Sequence, residues 1–270
     1  MIKASLIISF YNKIDYLKLV LAGIKIQTEQ NIEIIIADDG SNPLVINQLN
    51  NLILNFPIRV KHIWQEDKGF RKNKILNRAI LASESNYLIF IDGDCVPHSN
   101  FIEDHLNNAR KNFVITGRRV NLSEKITNQL TEQKIQERFL ENQFYKIIFD
   151  GIFGYSTDVE KGIFIQNKLL LNLLNKKTRG LLGCNFSLYK EDILSINGFD
   201  ERYEAPSIGE DTDIQFRLEL IGKKIKSINH SAVQFHLYHK LQERPQKNLD
   251  LFEEVRQHKN HFTSFGIIKT

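Results

Sequence analysis

Tyr87-Leu88-Ile89-Phe90-Ile91-Asp92-Gly93-Asp94 decides the fold: a short apolar run stops on two acids separated by glycine. A run of this length, rich in β-branched and aromatic residues, predicts a strand buried on both faces. Leu6-Ile7-Ile8 and Ile34-Ile35-Ile36-Ala37 repeat the pattern upstream, and Ile58 to Trp64, just after Pro57, predicts a fourth strand. Between the first two runs, Asp15 to Gln30 carries Tyr16, Leu19, Val20, Gly23, Ile24 and Ile26 at helical spacing; Lys74 to Ala82 is a second helical stretch. Strands alternating with helices predict right-handed βαβ units and a mostly parallel α/β sheet of nucleotide-binding type.

The second half is less regular. Ser123 to Phe149 intersperses Ile126, Leu130, Ile135, Phe139, Leu140, Phe144 and Ile147 with charges, which predicts an exposed helix or helical excursion. Gly151 to Gly183, including Lys176-Lys177-Thr178-Arg179-Gly180, reads as loops around one short helix. Glu191 to Ile196, Thr212 to Leu220 and Leu249 to His258 carry helical patterns, and Lys224 to Phe235 alternates like a strand. No internal repeat and no biased linker divides the chain.

Composition narrows the classes. With 42% hydrophobic and 25% charged residues over 270 positions, collagenous, low-complexity and disordered readings fail. Lys+Arg 36 against Asp+Glu 32 leaves +4, too small an excess to argue for nucleic acid, so no nucleic-acid partner is expected. Cys95 and Cys184 make neither a disulfide framework nor a CxxC zinc site, and a reducing compartment fits best. The apolar run in Met1 to Ser9 is too brief for a signal peptide and no stretch approaches ~20 apolar residues, so the expectation is a cytoplasmic protein that does not span a membrane.

Several clusters carry chemistry. Asp92 and Asp94 flank a glycine at the carboxyl end of a parallel strand, where two converging carboxylates form an oxygen site for a hard divalent cation; the alternative is an Asp-rich turn. Asp38-Asp39-Gly40-Ser41 ends the preceding strand in the same way and could accept hydrogen bonds from a base or ribose, or be a solvated turn. Lys68 to Lys74 puts Lys68, Arg71, Lys72 and Lys74 in a loop entering a helix, a place that favours a diphosphate. Glu210, Asp211 and Asp213 open a helix, as caps or with one of them as a base for an incoming hydroxyl. His236 and His239 follow a strand-like stretch, and one of them could complete a metal site.

Taken in order, Ser5 to Asn12, Ile36 to Ser41, Trp64 to Arg71, Phe90 to Asp94, Gly183 to Ser187, Asn197 to Glu201 and Gly209 to Asp213 resemble family 2 glycosyltransferases of the GT-A fold, particularly bacterial members with a galactosyltransferase-like second half. The resemblance implies a GT-A catalytic domain over 1–240, divided into a nucleotide-binding half (1–120), a helical and loop insertion (121–182) and an acceptor and base half (183–240), followed by a helical tail (241–270). By the same resemblance Ser9, Phe10, Tyr11, Asp38 and Asp39 hold uracil and ribose of a UDP-sugar, and Gly69 and Arg71, with Lys74, meet the nucleotide or its phosphates. Asp92, Gly93 and Asp94 form the DxD motif, with Asp94 on Mn2+ or Mg2+ and Asp92 facing ribose or sugar; Asn185 is expected at the donor. His236 implies a further metal ligand, Asp211 the general base and Glu210 a contact to acceptor or donor sugar. The activity implied is inverting transfer of a hexose or N-acetylhexosamine to a saccharide, or lipid-linked saccharide, in bacterial surface polysaccharide synthesis.

Two other readings compete. A sugar-phosphate nucleotidyltransferase needs a Gly-rich cradle near the amino terminus, and Leu6 to Tyr16 has no glycine. A non-catalytic nucleotide-sugar-binding protein needs no base at Asp211. Lys240, Arg244, Lys247, Arg256, Lys259 and Lys269 could hold the chain peripherally on the inner face of the membrane, or be a solvated helix face.

Overall fold

A computed structural model of the chain describes residues 2–175, 178–205, 210–240 and 245–269, without the side chains of Asn172 and Glu210. The chain runs β1 (Ala4–Phe10), α1 (Ile14–Lys25), β2 (Ile32–Asp38), α2 (Pro43–Ile53), β3 (Val60–Trp64), α3 (Lys72–Ala82), β4 (Tyr87–Asp92), β5 (Cys95–Pro97) and α4 (Phe101–Asn108). It continues through β6 (Phe113–Thr116), β7 (Arg118–Asn121), α5 (Glu124–Asn128), α6 (Glu132–Gln136), α7 (Phe139–Asn142), α8 (Phe144–Ile152), a 3-10 turn (Val159–Gly162) and α9 (Lys168–Leu174). Then come β8 (Asn185–Tyr189), α10 (Lys190–Ser195), α11 (Glu210–Leu220), β9 (Lys224–Ser227), β10 (Val233–His236) and α12 (Gln246–His258).

The main sheet has the order β3-β2-β1-β4-β8-β6-β9, and β3, β2, β1 and β4 run parallel as the apolar runs predict. Alternation along each strand divides the core. Leu6, Ile8, Ile34, Ile36, Ile89 and Ile91 face α1 through Leu17, Val20, Leu21 and Ile24. Ile7, Ile35, Leu88 and Phe90 face α3 and α11 through Ile75, Ala79, Ile80, Ile214 and Leu218. Both faces are thereby covered, which is why the centres of these strands are apolar; the exception, Glu33 in β2, is buried against Ser5 Oγ and Lys61. The register sets Phe10 beside Asp38 and Ser9 beside Asp92, so the strand-end acids lie along one edge of the sheet.

A second sheet, β5-β10-β7, stands at that edge, with His236 opposite Cys95 and beside Asn121. The sequence reading merged β9 and β10 into one strand from Lys224 to Phe235. His230 and Ala232 adopt φ of 62° and 43° between them and send the chain from one sheet to the other. Helix α1 stops at Lys25, short of the expected Gln30, because the Gln27 amide donates to the carbonyls of Gly23 (3.0 Å) and His98 (2.8 Å) and turns the chain.

Ser123 to Phe149 is not one exposed helix. Ser123 and Thr131 accept hydrogen bonds from Ile126 N–H and Lys134 N–H and start separate helices α5 and α6, and Arg138, at φ 58°, breaks before α7. Ile126, Leu130, Ile135, Phe139, Leu140 and Ile147 are buried in the core. Helix α8 and the segment after it turn Tyr145, Phe149, Ile152 and Phe153 outward. Residues 245–269 lie against the 197–202 turn: Arg202 meets Glu254 at 2.9 Å, and the Asn197 amide donates to Thr263 O and Ile268 O, both at 2.7 Å. In the basic cluster named above, Lys247, Arg256 and Lys269 are paired with Glu204, Glu253 and Glu201, whereas Arg244 lies outside the described residues. Among the described residues no helix is long and apolar enough to cross a membrane.

Candidate functional site

The site begins where β1 and β4 end. Ser9 Oγ donates to Asp92 Oδ1 at 2.5 Å, and Lys72 Nζ meets the same oxygen at 2.9 Å. Gly93 turns the chain beneath Ser9, donating to its carbonyl at 2.8 Å; a Cβ there would stand 2.9 Å from that oxygen. The strand stops at Asp92, so Asp92 and Asp94 do not share one extended face as the spacing suggested. Asp92 faces Ser9 and Lys72, while Asp94 turns to β10 and the segment after it.

Asp94 gathers the histidines. His239 Nε2 lies 3.3 Å from Asp94 Oδ2, His236 Nε2 3.7 Å from Oδ1, and the two imidazole nitrogens are 3.1 Å apart. Leu237 N–H donates to the Asp94 carbonyl at 2.8 Å, which ties the end of β10 to this turn. Burial works against the Asp94 charge, but the His239 hydrogen bond and the charges of His236, His239 and Lys13 override it, holding the carboxyl well below the usual carboxylate range. Burial pushes His236 down to about 4, and the Asp94 hydrogen bond pushes His239 up. Two ring nitrogens facing each other at this distance are compatible only if one carries a proton or both turn to a cation. A carboxylate with one or two imidazoles fits a divalent transition metal such as Mn2+. Asp94, Cys95 and His236 can bring ligand atoms within 4.8 Å of one another; Cys95 and Cys184 are free thiols buried alongside.

The end of β2 is built by backbone. Asp38 accepts from Ser41 N–H (2.8 Å) and contacts His62 Nε2 (2.9 Å); Asp39 accepts from Arg71 N–H (2.7 Å) and the Gln65 amide (2.6 Å). Burial raises the Asp39 pKa against those two donors. Gly40 has φ +103°, and a Cβ would lie 2.6 Å from Asp67 Cα, so the 65–71 loop closes directly over the turn. Phe10 contributes its carbonyl, which accepts from Asp39 N–H at 2.9 Å, and the half-exposed Tyr11 donates its hydroxyl to Asp67 at 2.9 Å. Gly69, at φ +86°, turns this loop, and the Arg71 guanidinium donates to the Glu66 carbonyl.

Two sequence expectations change, and a third is narrowed. Lys74 lines a cleft of about 400 Å3 with Trp64, Arg71 and Arg78, and the cation at Asp92 is Lys72. Asn185 is fully buried: its amide donates to Arg118 O (3.0 Å) and Ala232 O (2.8 Å) and its oxygen meets His105 Nε2 (3.0 Å), so it braces the sheets and does not face a donor. Of the acids opening α11, Asp213 is buried against Arg217, which donates to it through Nε at 2.8 Å and Nη2 at 2.5 Å. That leaves Asp211, partly exposed, accepting from Gly183 N–H (3.3 Å) and Thr212 N–H (2.7 Å). The side chain of Glu210 and residue Gly209 lie outside the described residues.

Arg118 and Arg119 belong to no motif in the sequence. Both line a cleft of about 300 Å3 with Asn121, Asp158, Lys161 and Arg179. Their signal was two adjacent arginines in a segment with no other pattern.

A model of glycosyl transferase family 2 matches residues 5–173, and one described as the N-terminal domain of galactosyltransferase matches residues 173–240. Chondroitin synthase of Escherichia coli is 24% identical over 242 residues, 86% of this chain and 34% of that protein. Glycosyltransferase GlyA of Streptococcus pneumoniae is 23% identical over 237 residues, 87% of this chain and 30% of that protein. The chain therefore spans about a third of the length of these curated relatives. Among solved structures, GalNAc-T7 with UDP, GalNAc and Mn2+ aligns over 94% of this chain and 48% of that one, with TM-score 0.64 and 14% identity. Staphylococcus aureus TarS aligns over 95% and 39%, with TM-score 0.57 and 14% identity. These likenesses agree with the GT-A fold.

Proposed function

The chain belongs to glycosyl transferase family 2, and on that premise we propose that it moves a hexose or N-acetylhexosamine from a UDP-sugar to a saccharide hydroxyl, with inversion, in bacterial surface polysaccharide synthesis. The observation that carries this reading is the meeting of Asp94 with His236 and His239 beside the Asp92–Lys72 pair, at the carboxyl ends of parallel strands where α/β sheets bind ligands. The GalNAc-T7 structure, which contains UDP and Mn2+, supports a nucleotide and a divalent ion on this fold.

Asp94 and His236, with His239, would hold the ion, and imidazole ligation favours Mn2+ over Mg2+. When bound there it would supply Lewis-acid charge for the departing diphosphate. The chain's own residues do the rest. Lys72 adds fixed positive charge next to Asp92. Asp39, oriented by Arg71 N–H and the Gln65 amide, would accept from base or ribose, whereas Asp38 is fully buried on Ser41 N–H and His62 and shapes the turn without reaching a ligand. Asp211 takes the proton of the acceptor hydroxyl as its oxygen attacks the anomeric carbon opposite the leaving diphosphate. One displacement, with the proton on the Asp211 carboxylate and the electron pair on UDP, turns an α-linked donor into a β-linked product. A binding-only protein would not need that carboxylate.

The test is nucleotide release from a panel of UDP- and GDP-sugars with Mn2+, with saccharide acceptors and a chelator control. Release from one UDP-sugar, abolished by chelator, is the expected result. Release from GDP-sugars alone, or release indifferent to chelator, would overturn the donor or the metal. UDP affinity without release under any acceptor would favour the binding-only alternative.

A further inference from the structure

The cleft at Arg118 carries charge that nothing in the donor reading uses. Arg118 is 7% exposed, and its guanidinium donates only to neutral groups: Gly180 O at 3.0 Å, Asn229 Oδ1 at 3.3 Å and Ser227 Oγ at 3.5 Å. Arg119 donates to Cys184 Sγ at 3.4 Å. Arg179 reaches the same cleft, and among the described residues none of the three arginines has a carboxylate within ion-pair distance. Lys161 is neutralised by Asp158, the acid of the cleft lining. Burial, with Arg179 nearby, pulls Arg118 down to about 10, the opposite of what an ion pair would do. Arg119, by contrast, is pushed up by the Cys184 sulfur, with Cys95 and Asp92 adding to it; it is Arg118, buried without an acidic partner, that costs stability unless an anion completes the cavity.

The position of the cleft indicates which anion. Its wall at Gly180 and Leu182 runs directly into Gly183, whose N–H donates to Asp211. Its floor, β7, lies beside β10, so that Asn121 neighbours His236. It thus borders the proposed base on one side and the proposed metal ligands on the other, where an acceptor saccharide has to lie. The donor diphosphate already has Lys72 at Asp92.

Resting on the glycosyltransferase reading, we infer that the acceptor is an anionic saccharide whose carboxylate or phosphate oxygens are bound by Arg118, Arg119 and Arg179 in this cleft. Guanidinium groups suit both oxyanions through paired N–H donors. Arg118 forms the buried end, and Arg179 and Lys161 form the rim.

The test is calorimetric titration of the full chain with a uronate-terminated disaccharide, a phosphate-terminated one and their neutral hexose counterpart, and separately with UDP plus Mn2+. One or both anionic disaccharides should bind about tenfold more tightly than the neutral one, as expected for hydrogen bonds to a charged group. The tighter of the two names the oxyanion. In Arg119→Gln/Arg179→Gln, which leaves the buried Arg118 and the Lys161–Asp158 pair intact, the advantage should fall below about twofold. Equal binding of neutral and anionic disaccharides, or an advantage that survives the double variant, would overturn the inference. So would a loss of UDP affinity in that variant without saccharide discrimination, which would assign the cleft to the donor diphosphate. Failure of the glycosyltransferase reading looks different: no UDP binding and no nucleotide release, with the preference for anionic saccharide intact.

Discussion

Residues 4–92 and residues 122–175 satisfy burial in opposite ways. In the first segment, β1, β2 and β4 are covered on both faces and end in turns whose geometry is fixed by backbone: Gly93 N–H on Ser9 O, Asp39 N–H on Phe10 O, Arg71 N–H on Asp39. In the second, short helices bury a few anchors and expose Tyr145, Phe149, Ile152, Phe153, Leu169 and Leu173 by 54% to 81%. A covered parallel sheet fixes strand-end ligands wherever its core packs well. A surface built from short capped helices leaves recognition to side chains, as at Lys161 and Arg179. The proposed donor side should therefore be sensitive to backbone changes and the proposed acceptor side to charge.

The largest effect should fall on chemistry. Asp211→Asn should lower turnover by ~10²–10⁴ and leave UDP affinity within about twofold; unchanged turnover in a nucleotide-release assay would remove the base from α11 and blur the division between donor and acceptor sides. Next comes packing. Ile89→Ala, in the covered sheet, should cost about 3–4 kcal/mol of unfolding free energy, because its cavity is lined by a rigid core. Phe149→Ala should cost less than about 0.5 kcal/mol, since the ring is 59% exposed. Urea denaturation of both variants measures the contrast directly. Comparable losses would mean that the outward face of α8 is part of the folding core.

The two segments also differed in how far the sequence revealed them. Leu6–Ile8, Ile34–Ala37 and Tyr87–Ile91 were legible because a strand buried on both faces must be apolar at every position. The acids Asp38 and Asp92 were legible for the same reason, as the first polar residues after the second and third runs. Strands β5, β6 and β7 were missed: three or four residues, one of them carrying Arg118 and Arg119, are too short to show a period. Lys72 was passed over for Lys74 because two positions on a helix differ by ~200°, and the start of α3 is set by a long-range bond from Arg71 N–H to Asp39. Either of His236 and His239 could be chosen from sequence; the end of β10 brings both to Asp94. Asn185 was read as a donor contact because motif order does not reveal which way a strand residue points.

Gly40 sharpens the donor side of the comparison. An alanine there meets two objections at once: a backbone at φ +103° and a Cβ 2.6–2.7 Å from the Asp67 main chain. Gly40→Ala should cost about 2–3 kcal/mol and weaken UDP affinity through displacement of the 65–71 loop. A variant with unchanged stability and affinity, by denaturation and titration, would show that the turn is not held by backbone closure.

An effect that vanishes with pH lies where the two sides are joined. Tyr87 OH lies 2.7 Å from Ser187 Oγ, Ser187 Oγ 2.8 Å from His105 Nδ1, and His105 Nε2 3.0 Å from Asn185 Oδ1. The Asn185 oxygen can only accept, so Nε2 carries the proton, Nδ1 accepts from Ser187 and Ser187 accepts from Tyr87. A second imidazole proton would reverse the Ser187 hydroxyl, and burial pushes the His105 pKa down to about 4. The unfolded chain takes up this proton near pH 6.5 and the folded chain only near 4, so the stability contribution is full above about pH 6.5 and declines as pH falls toward 4. His105→Gln has nothing to titrate at this position. Its penalty should be about 2 kcal/mol at pH 7.5, from the lost buried hydrogen bonds, and shrink toward zero by pH 4.5. Urea midpoints of the two proteins across that range read the difference, which cancels every other titrating group they share. A penalty independent of pH would mean that His105 titrates alike in the folded and unfolded chain, and that burial does not hold this link from α4 to β8 in its neutral form.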